Sequence, residues 1–151
     1  MINEGQKAPD FTANDQDGNE ISLSQFAGQK VVLYFYPKDS TPGCTTEACD
    51  FRDNYQSLVA QGIVVLGVSA DDEASHRKFI AKHNLPFPLI ADTDKKIVEN
   101  YGVWVEKNMY GKKYMGIARK TFLIDEAGIL IHIIDKVDTK NATAQVLALL
   151  K

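Results

Sequence analysis

Two cysteines, Cys44 and Cys49, are the only thiols in the 151 residues, and both lie in the stretch PKDSTPGCTTEACDF (37–51). Such a pair can do redox exchange or bind a metal. Its surroundings favour the first. Thr41 is a good residue to precede a helix, and Pro42 suits the first helical position, where its missing N–H costs nothing. Cys44 then stands third in the helix, where a capping box holds a carboxylate. A thiolate there meets free backbone N–H groups and the positive end of the helix dipole, which favour the nucleophilic anion. Cys44 also opens the apolar stripe Cys44, Ala48, Phe51, Tyr55 and Leu58, spaced as one face of an α-helix. That stripe puts the thiol at the floor of a pocket. It equally suits a small buried hydrophobe, which is how a free cysteine often behaves.

The elements that must carry this helix follow from hydrophobic periodicity. NDQDGNEISL reads as a short hairpin turning at Asp17-Gly18. VVLYFY (31–36) is a continuous apolar run of the kind that forms a strand buried on both faces, and IVVLGVS (63–69) is another. Asp71 and Asp72 are placed to begin a second helix that runs to Asn84. FPLIAD is a short strand, and TDKKIVENYG a short helix stopped by Gly102. A polar stretch from Val103 to Gly116 reads as irregular. ARKTFLID and GILIHIIDKV are two strands around a turn at 126–128, and NATAQVLALLK is a closing helix. This order predicts one α/β domain over 1–151 with a thioredoxin-like fold: a central mixed sheet flanked by helices, an N-terminal hairpin and a mid-chain insertion. A flavodoxin-like sheet would not end in a β-hairpin. In the thioredoxin-like sheet the strand starting near Ala118 runs antiparallel to 31–36, which brings Arg119 beside the Cys44 helix. A guanidinium there can hold a thiolate and a substrate oxygen. An edge salt bridge is the competing role for Arg119.

Other functions find little support. Net charge is −3 and no run of lysine or arginine makes a basic face, which argues against nucleic acid. The N-terminal MINEGQKAPDF lacks the apolar core of a secretory signal, and no stretch is long and apolar enough for a membrane span. The expected location is the cytoplasm, where thiols stay reduced. His76 and His83 lie on a charged helix and are expected to be solvated, while His132 sits on a half-exposed strand face. Three scattered histidines and this cysteine spacing make no zinc pattern. No glycine-rich phosphate loop is present. Trp104 is placed to cover the site or fill core, and Asp71–Glu73 reads as a helix start.

The segment PKDSTPGCTTEACDF resembles the active-site segment of the peroxiredoxins, with Pro37, Thr41 and Cys44 in the spacing Pro-x-x-x-Thr-x-x-Cys. The second cysteine in the same helix resembles the Q-type subfamily, also called bacterioferritin comigratory protein. APDF, GVSADD, YGVW and RKTFLID extend the likeness along nearly the whole chain. Carried over, the resemblance makes Cys44 the peroxidatic cysteine and Cys49 the resolving one. It makes Thr41 the hydroxyl that orients peroxide and thiolate, Arg119 the activating arginine, and Pro37 the shield of the pocket. Val105 departs from the small residue common at its position, which bears on peroxide size. The implied activity is reduction of hydrogen peroxide and organic hydroperoxides through a Cys44 sulfenic acid and a Cys44–Cys49 disulfide. Thioredoxin or a similar dithiol recycles it, the chain acts as a monomer, and no cofactor or metal is required. Two rivals are a protein thiol–disulfide oxidoreductase, which would want Cys-x-x-Cys, and a non-enzymatic carrier binding copper(I) through both thiols.

The spacing constrains that chemistry. Residues five apart in an intact α-helix are separated by about 7.5 Å along the axis and about 140° around it, so their Cα atoms are about 8.6 Å apart. A disulfide rarely tolerates more than about 7 Å. The two cysteines therefore join only if the helix start unwinds. Amide exchange across 43–51 is expected to accelerate on oxidation while 31–36 stays protected. A Cys44–Cys49 disulfide inside an undisturbed helix would refute this.

Overall fold

The computed structural model describes residues 2–150. In chain order the strands are β1 (Thr12–Asn14), β2 (Glu20–Ser22), β3 (Lys30–Phe35), β4 (Ile63–Ser69), β5 (Leu89–Ala91), β6 (Trp104–Met109), β7 (Lys112–Ile117), β8 (Lys120–Ile124) and β9 (Leu130–Ile134). The helices are α1 (Pro42–Asp53), α2 (Tyr55–Ala60), α3 (Glu73–His83), α4 (Lys96–Asn100) and α5 (Ala142–Leu149), with a 3₁₀ turn at Leu23–Phe26. β1 and β2 form the expected hairpin, closed by the Asp15 carboxylate, which accepts from the N–H groups of Asp17 and Asn19.

The main sheet has the order β5-β4-β3-β8-β9. β3 pairs in parallel with β4 and β4 with β5, while β8 runs antiparallel to both β3 and β9. This is the thioredoxin-like arrangement the element order predicts. Alternation along β3 divides its side chains between two apolar layers. Val31, Leu33 and Phe35 face α4, the N-terminal segment and Ile117. Val32, Tyr34 and Tyr36 face α1, α2, α3 and α5, through Cys44, Phe51, Leu58, Phe79 and Val146. A strand covered on both sides has no polar face, so its sequence is a continuous apolar run.

Two elements differ from the sequence-based expectation. The cysteine helix does not run unbroken to Leu58. It stops at Asp53 and restarts at Tyr55, because Asn54 adopts φ −111° and ψ 11° and its side-chain amide donates to Asp50 O at 2.8 Å. Asparagine competes with the helix for backbone partners in this way. The stretch 103–116 is not irregular. It is an antiparallel hairpin, β6–β7, closed at Tyr110-Gly111 with φ of 52° and 80°. Two positive φ values in a two-residue loop make the turn that fits strand twist. The arm has no clean alternation because most of it is exposed on both faces, so periodicity gave no strand signal.

Gly67 on β4 is required by packing. A Cβ there would stand 2.7 Å from Leu89 Cδ2 and 2.9 Å from Tyr34 Cζ and Oη. Tyr34 lies across Gly67 and packs on Phe51 of α1 at 4.9 Å between ring centroids. Gly67→Ala is expected to lower stability by about 1–3 kcal/mol through overpacking. Urea unfolding checks this, with an unchanged midpoint as the contrary result.

Candidate active site

β3 ends at Phe35, and a six-residue connection delivers the chain to Pro42, the first residue of α1. Thr41 occupies the position before the helix with extended backbone, and Cys44 stands third in the helix, as expected. Thr41 does not cap through its side chain, contrary to that expectation. Its hydroxyl donates to Lys38 O at 2.8 Å and so closes the turn in front of the helix. The first helical backbone bond runs from Thr45 N–H to Thr41 O at 2.9 Å. The N–H groups of Gly43 and Cys44 precede it and have no intrahelical acceptor. They point out of the helix start beside the thiol.

Cys44 is only 1% exposed, so any oxidant must reach it through a narrow opening. The register brings Arg119 to it. Phe35 pairs with Lys120, so the residue before β8 lies beside the exit of β3. The Arg119 Nη2–H donates to Cys44 Sγ at 3.2 Å, and Nη1–H donates to Glu47 Oε1 at 2.7 Å. Arg119 thus contacts the thiol and also makes a salt bridge, although the carboxylate is not an edge residue. Glu47 is fully buried, one helical turn below the thiol. Gly43 makes room, since a Cβ there would meet Arg119 Nη2 at 3.2 Å.

The charges in this apolar layer are strongly perturbed. Burial pushes the Glu47 carboxyl up to about 7, and Arg119 opposes this only in part. Burial disfavours the charge of Arg119 too, but the Cys44 thiolate and Glu47 outweigh it and raise its pKa. Burial pushes the Tyr34 hydroxyl well above its ordinary value, helped by Glu47 and Cys44. Glu47 Oε2 and the Tyr34 hydroxyl are the buried side-chain polar atoms without a partner among the described residues.

The remaining candidates are dispersed. Pro37 is half-buried in the connection that holds Thr41. Cys49 is a half-buried free thiol on another face of the intact α1, in a shallow depression with Thr45, Thr46, Asp50, Asp53 and Lys140. Trp104 packs against the core under Lys95, whose Nζ lies 5.5 Å from the ring centroid.

His76 corrects the expectation of a solvated histidine, because it is fully buried. Its Nδ1 bonds to Asp39 Oδ2 at 2.7 Å and its Nε2 to Ile90 O at 2.9 Å. Burial pushes its pKa down, but the hydrogen bond and charge of Asp39 prevail and the net shift is upward. Asp71 is not part of the helix start either. It accepts from Asp39 N–H at 2.8 Å and from the Ser69 hydroxyl at 2.7 Å, and only Asp72 caps α3, accepting from Ser75 N–H. Glu47 was missed and His76 misplaced, though each leaves a trace in the sequence. Glu47 lies beside the apolar stripe at Cys44 plus three, and His76 shares a helix face with Phe79 and Ile80. A polar residue on a core-facing stripe signals a buried partner.

Ligand atoms of Asp39, Asp71 and His76 lie within 4.8 Å of one another, a grouping that could hold a cation. Both Asp39 oxygens and Asp71 Oδ2 already accept from N–H and O–H donors of the protein, so the donor set fits a hydrogen-bonded cluster better than a metal.

A buried thiol at a helix start, held by a guanidinium, coincides with the match of residues 4–133 to the AhpC/TSA family. The chain belongs to the AhpC/TSA family. It is 51% identical over 147 residues to the peroxiredoxin Bcp of Bacillus subtilis strain 168, covering 97% of this chain and 94% of that one. It is 46% identical over 147 residues to the peroxiredoxin Bcp of Escherichia coli K12, with the same coverage. Among solved structures it resembles a PrxQ variant of Xylella fastidiosa, with TM-score 0.94, 33% identity and coverage of 99% and 96%. It also resembles the bacterioferritin comigratory protein of Xanthomonas campestris, with TM-score 0.86, 40% identity and coverage of 93% and 90%. This peroxiredoxin is a thiol peroxidase of the Bcp, or Q, type. No helix among its described residues is long and apolar enough to cross a membrane.

The perturbed Glu47 has a measurable consequence. Its folded pKa of about 7 lies above the ordinary 4.5, so the stability it contributes is fully present below the ordinary value and is lost as pH rises through 7. Between about pH 5 and about pH 8 the wild type is expected to lose more stability than Glu47→Gln. Urea midpoints at both pH values test this. Equal losses would mean that Arg119 keeps Glu47 ionised throughout.

Proposed function

We propose that this peroxiredoxin reduces hydrogen peroxide and organic hydroperoxides with Cys44 as the attacking thiol and Cys49 as the resolving thiol. The observation that carries this reading is the 3.2 Å contact of Arg119 Nη2 with Cys44 Sγ at the start of α1. The Cys44 thiolate attacks the distal oxygen of the hydroperoxide. An S–O bond forms, the O–O bond breaks, and the leaving oxygen takes a proton to give water or an alcohol. The free N–H groups of the helix start and Arg119 stabilise the negative charge as it moves to the leaving oxygen, joined by the Thr41 hydroxyl once it turns from Lys38 O to the substrate. Pro37 shields the pocket from bulk water. The Cys44 sulfenic acid then condenses with the Cys49 thiol, an S–S bond replaces the S–O bond, and water leaves.

Thioredoxin or a similar dithiol returns the enzyme to its starting state by exchange through a mixed disulfide, its own thiols being oxidised. Resolution lies within one chain, so a monomer suffices, in a reducing compartment such as the cytoplasm. The Xanthomonas campestris relative has alkyl peroxide reduction activity, which supports organic hydroperoxides among the substrates here. Copper(I) binding is the weaker reading, because two thiols five residues apart on an intact helix do not converge.

Substitution separates the roles. Cys44→Ser is expected to abolish peroxide reduction in a coupled assay with thioredoxin, its reductase and NADPH. Cys49→Ser should keep the first oxidation and accumulate a sulfenic acid that dimedone traps. Near wild-type turnover by Cys44→Ser would overturn the assignment, and a disulfide found only between chains would move resolution to a dimer. Arg119→Met is expected to slow peroxide attack by at least about tenfold, or about 1.4 kcal/mol of transition-state stabilisation. An unchanged single-turnover rate would leave Arg119 a structural partner of Glu47.

A further inference from the structure

The connection between β3 and α1 carries Pro37 and Thr41, and its first half is fixed by a buried cluster that the chemistry above does not use. Asp39 is 6% exposed and lies at its centre. The Tyr36 hydroxyl donates to Asp39 Oδ1 at 2.6 Å. His76 Nδ1–H and the Ser75 hydroxyl, both from α3, donate to Asp39 Oδ2 at 2.7 and 2.8 Å. The Asp39 N–H donates to Asp71 Oδ2, which also accepts from Ser69 at the end of β4. The second ring nitrogen of His76 meets Ile90 O on β5. Both ring nitrogens therefore face acceptors, an arrangement that favours the protonated imidazole, in keeping with the upward shift of the His76 pKa. α3 and the connection before it thus hold Asp39 directly, and β5 holds His76 in place.

The next residue is different in kind. Ser40 is exposed and adopts φ 63°, a left-handed conformation that a non-glycine residue holds only where its neighbours impose it. Beyond it the Thr41 hydroxyl returns to Lys38 O, the last tie before the helix. A held end, a strained residue and a helix start thus follow one another directly.

We propose that Asp39 and His76 are positioning residues for the peroxidase reaction: their buried pair pins residues 36–39, so that the start of α1 unwinds from Ser40 onward and rewinds into the same reactive geometry. This rests on the reading of Cys44 as the attacking thiol. The enzyme needs α1 wound for peroxide attack and unwound for disulfide formation. A fixed upstream end keeps that exchange local and sets Thr41 and the free N–H groups back over the thiol on each return. Loosening the pair shifts the segment toward the unwound form. Attack on peroxide slows, while condensation of the sulfenic acid with Cys49 does not.

The test uses the full chain with Asp39→Asn, and with Tyr36→Phe as a milder variant that removes one hydroxyl and keeps the ring. Single-turnover oxidation of the reduced protein by hydrogen peroxide is followed by rapid quench and mass spectrometry, which resolves sulfenic acid from disulfide. Asp39→Asn is expected to slow peroxide attack by at least about tenfold, about 1.4 kcal/mol. Disulfide formation should be as fast as in the wild type or faster, with faster amide exchange at residues 37–41. Tyr36→Phe should show the same pattern at about a third of the logarithmic effect, and it decides the matter if Asp39→Asn does not fold. Attack within about twofold of wild type and unchanged exchange would overturn the proposal. So would equal slowing of both steps, which a general loss of structure would give. Failure of the Cys44 reading is distinct, since the wild type itself would then form no sulfenic acid at Cys44.

Discussion

The site depends on putting one guanidinium into an apolar layer. Arg119 is useful beside Cys44 because little water competes for it there, and for the same reason it is costly to hold. The structure meets the cost by giving two of its N–H groups acceptors, the Cys44 sulfur at 3.2 Å and Glu47 at 2.7 Å. Both acceptors come from one turn of one helix, so Arg119 holds the rotation of α1 as well as the thiol. The antiparallel register of β8 on β3 sets the depth of the guanidinium, and the lack of a side chain at Gly43 lets it come close. A shift of one residue in that register would move Arg119 to the other face of the sheet.

Glu47 makes this arrangement sensitive. Its second oxygen has no partner among the described residues, and its pKa is raised to about 7. A neutral Glu47 leaves Arg119 with the thiolate as its one full counter-charge, and an ionised Glu47 shares it. The carboxyl and the sulfur therefore draw on the same cation.

Much of this was legible in the sequence, and the reasons are specific. The apolar runs of β3 and β4 can be little but buried strands, and the Thr-Pro-Gly-Cys start of α1 combines a helix-start residue, a proline and a thiol at the third position. These fixed the sheet, the helix and the place of Arg119. The β6–β7 arm was not legible, because strands exposed on both faces carry no periodic signal. The helix break at Asn54 depends on one side-chain amide turning back to Asp50 O. Thr41 was read as a cap from its residue type, but its hydroxyl had a nearer acceptor in Lys38 O. His76 was misjudged because its helix is charged, whereas its partner Asp39 lies 37 residues earlier in the chain. Contacts of that range leave no local pattern.

Gly67 and Tyr34 carry a consequence for how such a sequence can change. They are paired neighbours on adjacent strands, with the tyrosine ring filling the space a side chain at 67 would need. The two positions share one volume and must vary as a unit, so bulk gained at one has to be surrendered at the other. Tyr34 also supports Phe51, and through it the depth at which α1 rests on the sheet. A drift toward larger residues at 67 would lift the helix, and with it the thiol, away from a guanidinium anchored on a different strand. The reactivity of a cysteine on one helix is in this sense inherited from a hydrogen atom in the sheet below it.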